Sequence, residues 1–221
     1  MEQHTRVLAF VYAAVSQKAR NGMNKIGAVS CCTRGYLLLK IKVLLTGIAL
    51  FLISSCATNW GHVKQELIQM READQAAIRA NQGTPEKAQQ VFRQHLARLK
   101  EIIKDTGWPT LQDIGFDGTQ SAWLLVQHAD FDVDYQREIL TVLKPLAASG
   151  RVPKEHYAFL YDRVAKNDKL PQRYGSQGSC KGLGDWQPWQ IEKPELLDEL
   201  RAAMELQPMS EYAQKVSRFC K

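Results

Sequence analysis

One stretch of the chain is uncharged from Val43 to Ile53, led by Lys40 and Lys42 and followed at once by Ser54, Ser55 and Cys56. Eleven residues rising about 1.5 Å each reach roughly 16 Å, about half the hydrocarbon core of a bilayer. The length suits the apolar segment of a signal peptide better than a permanent membrane span. The charges divide at the same point. Residues 1–55 hold seven of the 29 Lys and Arg and one of the 23 Asp and Glu, which leaves 22 of each for residues 56–221. The net charge of +6 therefore belongs to the leader. A neutral body lacks the basic footprint that nucleic-acid backbones require, so no nucleic-acid partner is expected.

Ile53-Ser54-Ser55-Cys56 resembles a lipobox: a branched apolar residue, two small residues and a cysteine. Small side chains let a signal peptidase approach the backbone, and the Cys56 thiol accepts a diacylglyceryl group. The resemblance implies a lipoprotein-type signal peptide over residues 36–55, lipidation at Cys56 and a tether over 56–61. A helical domain over 62–221 follows. Ala57 rather than Asp follows the cysteine, which by resemblance to enterobacterial sorting points to an outer-membrane lipoprotein facing the periplasm. Residues 1–35 form an N-terminal extension without an assigned fold, or mark a start later than Met1, at Met23. Two cysteines remain beyond Cys56, Cys180 and Cys220. In an oxidising compartment they are a candidate disulfide; the alternative is two separate thiols.

The body reads as mainly α, a compact bundle of about six to seven helices with a short β-hairpin or extended loop near residues 172–192. Val63, Leu67, Met70 and Ala77 form one helical stripe, from His62 to about Asn81. Asp74 falls on that stripe, where a carboxylate is costly unless paired, so it must face a polar cavity or a cation. Thr84 and Pro85 cap and start a second helix with Ala88, Phe92, Leu96, Leu99 and Ile103 inward. Gly107-Trp108-Pro109 stops it, and the Gly- and Asp-rich residues 110–118 read as a loop. Further helices are expected over Thr119–His128, Val133–Ala148, Pro153–Lys166, Pro194–Glu205 and Ser210–Phe219.

Few residues carry recognisable chemistry. Asp130, Asp132 and Asp134 have the spacing that opens a calcium loop, but Tyr135 and Thr141 stand where that loop needs Gly and Glu. Asp132 as a helix cap is the simpler reading. His128 ends an apolar helix beside Gln127 and Asp130; it is either a general base or a histidine satisfying helix-end carbonyls. Asp162-Arg163 could form an ion pair or a ligand clamp. Residues 171–177 pack polar groups around a glycine. His62, His95, His128 and His156 lack metal-ligand spacing, and no nucleotide, zinc-protease or serine-hydrolase motif is present. No metal and no cofactor are expected.

Several stretches, taken in order, resemble a bacterial family of unknown function numbered 6624. They are Asp74-Gln75, Gly107-Trp-Pro-Thr110, Ala122-Trp-Leu-Leu-Val-Gln-His-Ala-Asp130 and Tyr157-Ala-Phe-Leu-Tyr-Asp-Arg-Val164. Gln172-Arg-Tyr-Gly-Ser-Gln177, Ile191-Glu-Lys-Pro-Glu195 and Pro208–Tyr212 complete the set. The resemblance covers about residues 62–213. It implies that Asp74, Gln75, Gln127, His128, Asp130, Asp162, Arg163, Gln172, Tyr174, Gly175 and Gln177 occur together, and with Arg173 and Ser176 they form a candidate polar cleft. Ser176 replaces the family's usual threonine, Leu200-Arg201 its double arginine and Glu205 its glycine. Three roles follow for such a cleft. It would bind a small ligand or an envelope protein partner. It would act as a hydrolase with His128 as base, oriented by Asp130 or Asp162, and Arg163 or Arg173 stabilising charge. Or its residues would only buttress the fold.

Overall fold

Buried helical stripes build the body. The computed structural model describes residues 58–80 and 85–220, and the segment expected as a signal peptide, Cys56 and the expected Thr84 cap lie outside them. Helix α1 (Trp60–Ala80) buries Leu67, Met70, Asp74 and Ile78, one face of a 3.6-residue period. It starts two residues before the expected His62. Helix α2 (Pro85–Thr106) buries Ala88, Leu96, Leu99 and Ile102. It ends where Gly107 takes φ +74, a backbone conformation that glycine adopts without steric cost.

Of residues 110–118, expected as a loop, Thr110 is an extended helix cap and 111–118 lie within a helix. The Asp113 carboxylate accepts from the Thr110 backbone N–H at 2.9 Å and from its hydroxyl at 2.6 Å. The Asp113 N–H in turn donates to the Thr110 carbonyl. This reciprocal cap starts helix α3 (Leu111–Gln127), which breaks at Gly115, φ 70 and ψ −178. The Asp and Gly residues that suggested a loop are thus a cap and a kink. Every residue from Gly118 to Gln127 is buried, so α3 is the central helix. It packs against α1, α2 and the later helix α5. Trp123 at its middle is fully buried and donates its indole N–H to the His156 carbonyl at 2.7 Å.

Asp132 caps helix α4 (Val133–Ala148), accepting from the Tyr135 N–H at 3.2 Å, which bears out the cap reading of that aspartate cluster. Helix α5 (Lys154–Asn167) packs against α4 after the turn at Gly150. The hairpin lies inside the predicted segment: β1 (Gly178–Gly182) pairs antiparallel with β2 (Asp185–Pro188) in the register Cys180↔Trp186. Gly178 is required there, because a Cβ would sit 2.2 Å from the Gln187 carbonyl oxygen and 2.4 Å from the Trp186 ring. A 3-10 turn (Pro194–Leu196), helix α6 (Leu197–Ala203) and helix α7 (Met209–Ser217) finish the domain. The described residues thus form a mainly α fold of seven α-helices and one hairpin. No helix among them is long and apolar enough to cross a membrane.

Cys180 and Cys220 are bonded to each other, closing a separation of 40 residues. The bond ties β1 to the segment after α7, where Trp186 meets Tyr212 edge to face at 5.6 Å. In the loop-entropy account, such a closure is worth about 3–4 kcal/mol. The double variant Cys180→Ser/Cys220→Ser is expected to lose that much in urea denaturation. A loss below about 1 kcal/mol would mean that packing alone holds the hairpin to α7.

Candidate functional site

Asp74 is fully buried on the inward stripe of α1. Its carboxylate needs partners, and α2 and α3 each supply a histidine. His95 Nδ1 lies 2.5 Å from Oδ1 and His128 Nδ1 lies 2.8 Å from Oδ2. An ionised carboxylate only accepts, so both Nδ1 atoms donate to it. In each neutral ring the lone pair is then on Nε2. The Gln75 amide nitrogen sits 3.4 Å from His128 Nε2 and donates to it. Phe92, three residues before His95, stacks on the His128 ring with centroids 4.8 Å apart.

The two histidines differ in access. The His128 side chain is 5% exposed, the His95 side chain 20%. His95 Nε2 has no hydrogen-bond partner among the described residues. A ring held through Nδ1 by a buried carboxylate, with Nε2 open, has the arrangement of a general base: Nε2 takes a proton and the carboxylate stabilises the imidazolium that forms.

The remaining candidate residues fall elsewhere. Neither Asp130 nor Asp162 orients His128, contrary to the expected pairings; Asp74 does. The Asp130 carboxylate is gripped by Arg163 Nε and Nη2, both at 2.7 Å, and by Asn167 at 3.0 Å. Burial pushes the Asp130 carboxyl up, but Arg163 and Lys166 outweigh it and bring it to about 2. That fork occupies Arg163, which reaches Gln177 Oε1 only at 3.4 Å. Asp162 accepts the backbone N–H groups of Arg173, Tyr174 and Ser176 at 2.8, 3.0 and 2.8 Å. Gln172 holds the same turn, donating to the carbonyls of Gln177 and Trp189 and accepting the Gln177 N–H. Gln127 is buried with neither amide atom bonded among the described residues.

The structure therefore brings Asp74, Gln75 and His128 together and adds His95 and Phe92. It places Asp130 with Arg163, and Asp162 with the turn from Gln172 to Gln177, in internal networks that the 3.4 Å contact of Arg163 with Gln177 joins. His95 was not singled out in the sequence, although Asp74 on an apolar stripe called for a polar cavity or a cation, and His95 lies between Phe92 and Leu96 on the next helix. Arg201 was also missed. It is 1% exposed and donates to the carbonyls of Tyr174 at 2.5 Å and Gln207 at 2.6 Å. Among the described residues no group of His, Cys, Asp and Glu could hold a metal ion.

His156 belongs to the core instead. It stacks on Trp123 at 4.8 Å and donates from Nε2 to Gln120 Oε1 at 2.7 Å. Burial depresses its pKa from 6.5 to about 3. The unfolded chain binds that proton at higher pH than the folded one. His156 thus contributes stability above pH 6.5 that is lost as pH falls towards 3, at about 1.4 kcal/mol per pH unit. Its neighbour Glu155 acts oppositely: burial, then Glu205, raise it to about 7, so its contribution is present below 4.5 and lost as pH rises through 7. Comparing His156→Gln with the parent chain isolates the histidine. The variant is expected to lose less stability between pH 6.5 and 4 in urea titrations; parallel profiles would refute the assignment.

The family described as a family of unknown function, DUF6624, matches residues 61–218. No curated protein and no solved structure matches the chain. The match covers α1 to α7, including Asp74, His95 and His128, and the chain belongs to the DUF6624 family.

Proposed function

We propose that this chain is a lipid-anchored protein of the cell envelope whose helical domain carries a histidine–carboxylate centre for proton transfer, of hydrolase type. The observation that carries the chemical half is the Asp74 carboxylate shared by His95 and His128, with His95 Nε2 open. Asp74 orients both rings. His95 accepts the proton of an attacking water or hydroxyl, and His128 with Gln75 holds the other side of the carboxylate. The address rests on the Lys-led apolar run ending at Cys56 and on the neutral body beyond it. The Cys180–Cys220 disulfide supports an oxidising compartment.

Generic chromogenic esters and phosphodiesters test the chemistry. Turnover is expected in the full chain and should fall about 10²- to 10⁴-fold in His95→Gln, the usual worth of a positioned base. Absence of turnover on both substrate classes, or a His95→Gln chain as fast as the parent, overturns the hydrolase reading. The anchor has its own test in mass spectrometry of the membrane fraction. A mature N-terminus at diacylglyceryl-Cys56 is expected, and an unmodified Cys56 in that fraction would end the proposal.

A further inference from the structure

A concavity lies apart from the histidine centre. It holds about 390 Å³ between the last turn of α4, the first turn of α5, Arg173-Tyr174 and the end of α6. That volume is within the range of small-molecule sites, about 300–1,000 Å³. Its wall is apolar where Ala147, Ala203 and Met204 meet, and the charged groups that line it, Lys144, Lys154 and Arg173, are all cationic.

These cations can be recruited. Lys144 is exposed and has no ion-pair partner among the described residues. Lys154 pairs with Glu205 at 2.9 Å, but the two side chains are 36% and 70% exposed, so the bond exchanges readily with solvent or ligand. Arg173 spends only Nε on Glu192, at 3.0 Å, and lies 4.6 Å over the Tyr161 ring. Its two Nη groups have no hydrogen-bond partner among the described residues. Tyr174 gives a further sign. The residue is 3% exposed, its N–H goes to Asp162 and its carbonyl to Arg201, yet its phenol has no partner among the described residues. The phenol of Tyr157, on the same wall, likewise has none. Burial raises both, Tyr174 to about 12, so both stay protonated and act as donors near neutrality. The cavity thus presents donors and cations over an apolar floor, the complement of an anion with an apolar body.

We propose that this cavity binds a small organic anion with an apolar or aromatic body, its carboxylate or phosphate met by Lys144, Arg173 and the Tyr157 and Tyr174 phenols. The body lies on Ala147, Ala203 and Met204. The site shares no residue with the Asp74 centre, so either can fail without the other.

Isothermal titration of the full chain with three probes tests it. The probes are 3-phenylpropanoate, its charge-reversed counterpart 3-phenylpropylammonium, and inorganic phosphate. Only 3-phenylpropanoate is expected to bind below about 10 mM. Ala203→Trp, which fills the cavity from its exposed rim, is expected to weaken it at least tenfold. Lys144→Glu on the exposed surface is expected to weaken it about fivefold, less at high salt. Equal binding of the ammonium probe or of phosphate overturns the proposal, as does no binding of the carboxylate by that concentration. Amide shifts in the parent chain serve if a variant fails to fold. Shifts around residues 144–157 and 203–204 support the site, and shifts clustered elsewhere overturn it.

Discussion

A carboxylate shut off from bulk solvent cannot be left unpaired, and Asp74 is fully buried. Removing a hydrogen-bond partner from a buried polar group costs about 1–3 kcal/mol, and more when the group is charged, because it remains desolvated. The histidine of α2 and the histidine at the end of α3 therefore fix how three helices meet. Both partners are groups that accept and release protons. The tie that holds α1, α2 and α3 together is thereby also the place in this fold best prepared for proton chemistry. Stability and reactivity draw on the same bonds there.

The same rule explains the polar residues that do not join this centre. The turn 172–177 has few backbone hydrogen bonds of its own. Asp162 satisfies three of its N–H groups, and Gln172 stands in for a missing strand by bonding Gln177 and Trp189. Arg201 takes the Tyr174 carbonyl from the other side. The hairpin and its disulfide continue from that turn to α7. Asp130 and Arg163 fasten the α3–α4 turn to α5. These residues have the types found in active sites, but the carboxylates of Asp130 and Asp162 and the side-chain amide of Gln172 are already spent on the fold.

Local features were legible. The apolar stripes located the helices, Gly107 and Pro109 stopped α2 where expected, and Asp132 reads as a cap and is one. The misplaced loop at 110–118 shows the limit of composition: Asp113 and Gly115 suggest a loop in either case, and only hydrogen bonding between Thr110 and Asp113 makes them a helix start. Partnerships were less legible than elements. Asp74 called for a polar cavity or a cation, yet its partners lie 21 and 54 residues away on other helices, and nothing in linear spacing ranks His95 above His62. A set of polar residues that recurs together does not say which members share a site. The structure puts Asp74, Gln75 and His128 in one network, joins Asp130 and Arg163 to the 172–177 turn through Gln177 in another, and leaves the Gln127 amide unbonded among the described residues.

Gln75 gives the histidine centre its direction. As an amide it has a donor end and an acceptor end, related by a half-turn of the side chain. Its nitrogen faces His128 Nε2, which suits a neutral ring whose Nδ1 hydrogen is on Asp74. Should His128 take a second proton, that contact becomes donor against donor, and the amide must rotate to offer its oxygen. His95 carries no such constraint, since its Nε2 opens to the surface rather than to an amide. A proton arriving at His95 changes only its bond to Asp74. A proton arriving at His128 also requires Gln75 to turn. Under the proposed proton-transfer role, the unequal surroundings of two like rings on one carboxylate assign His95 as the entry point and His128 as the fixed support.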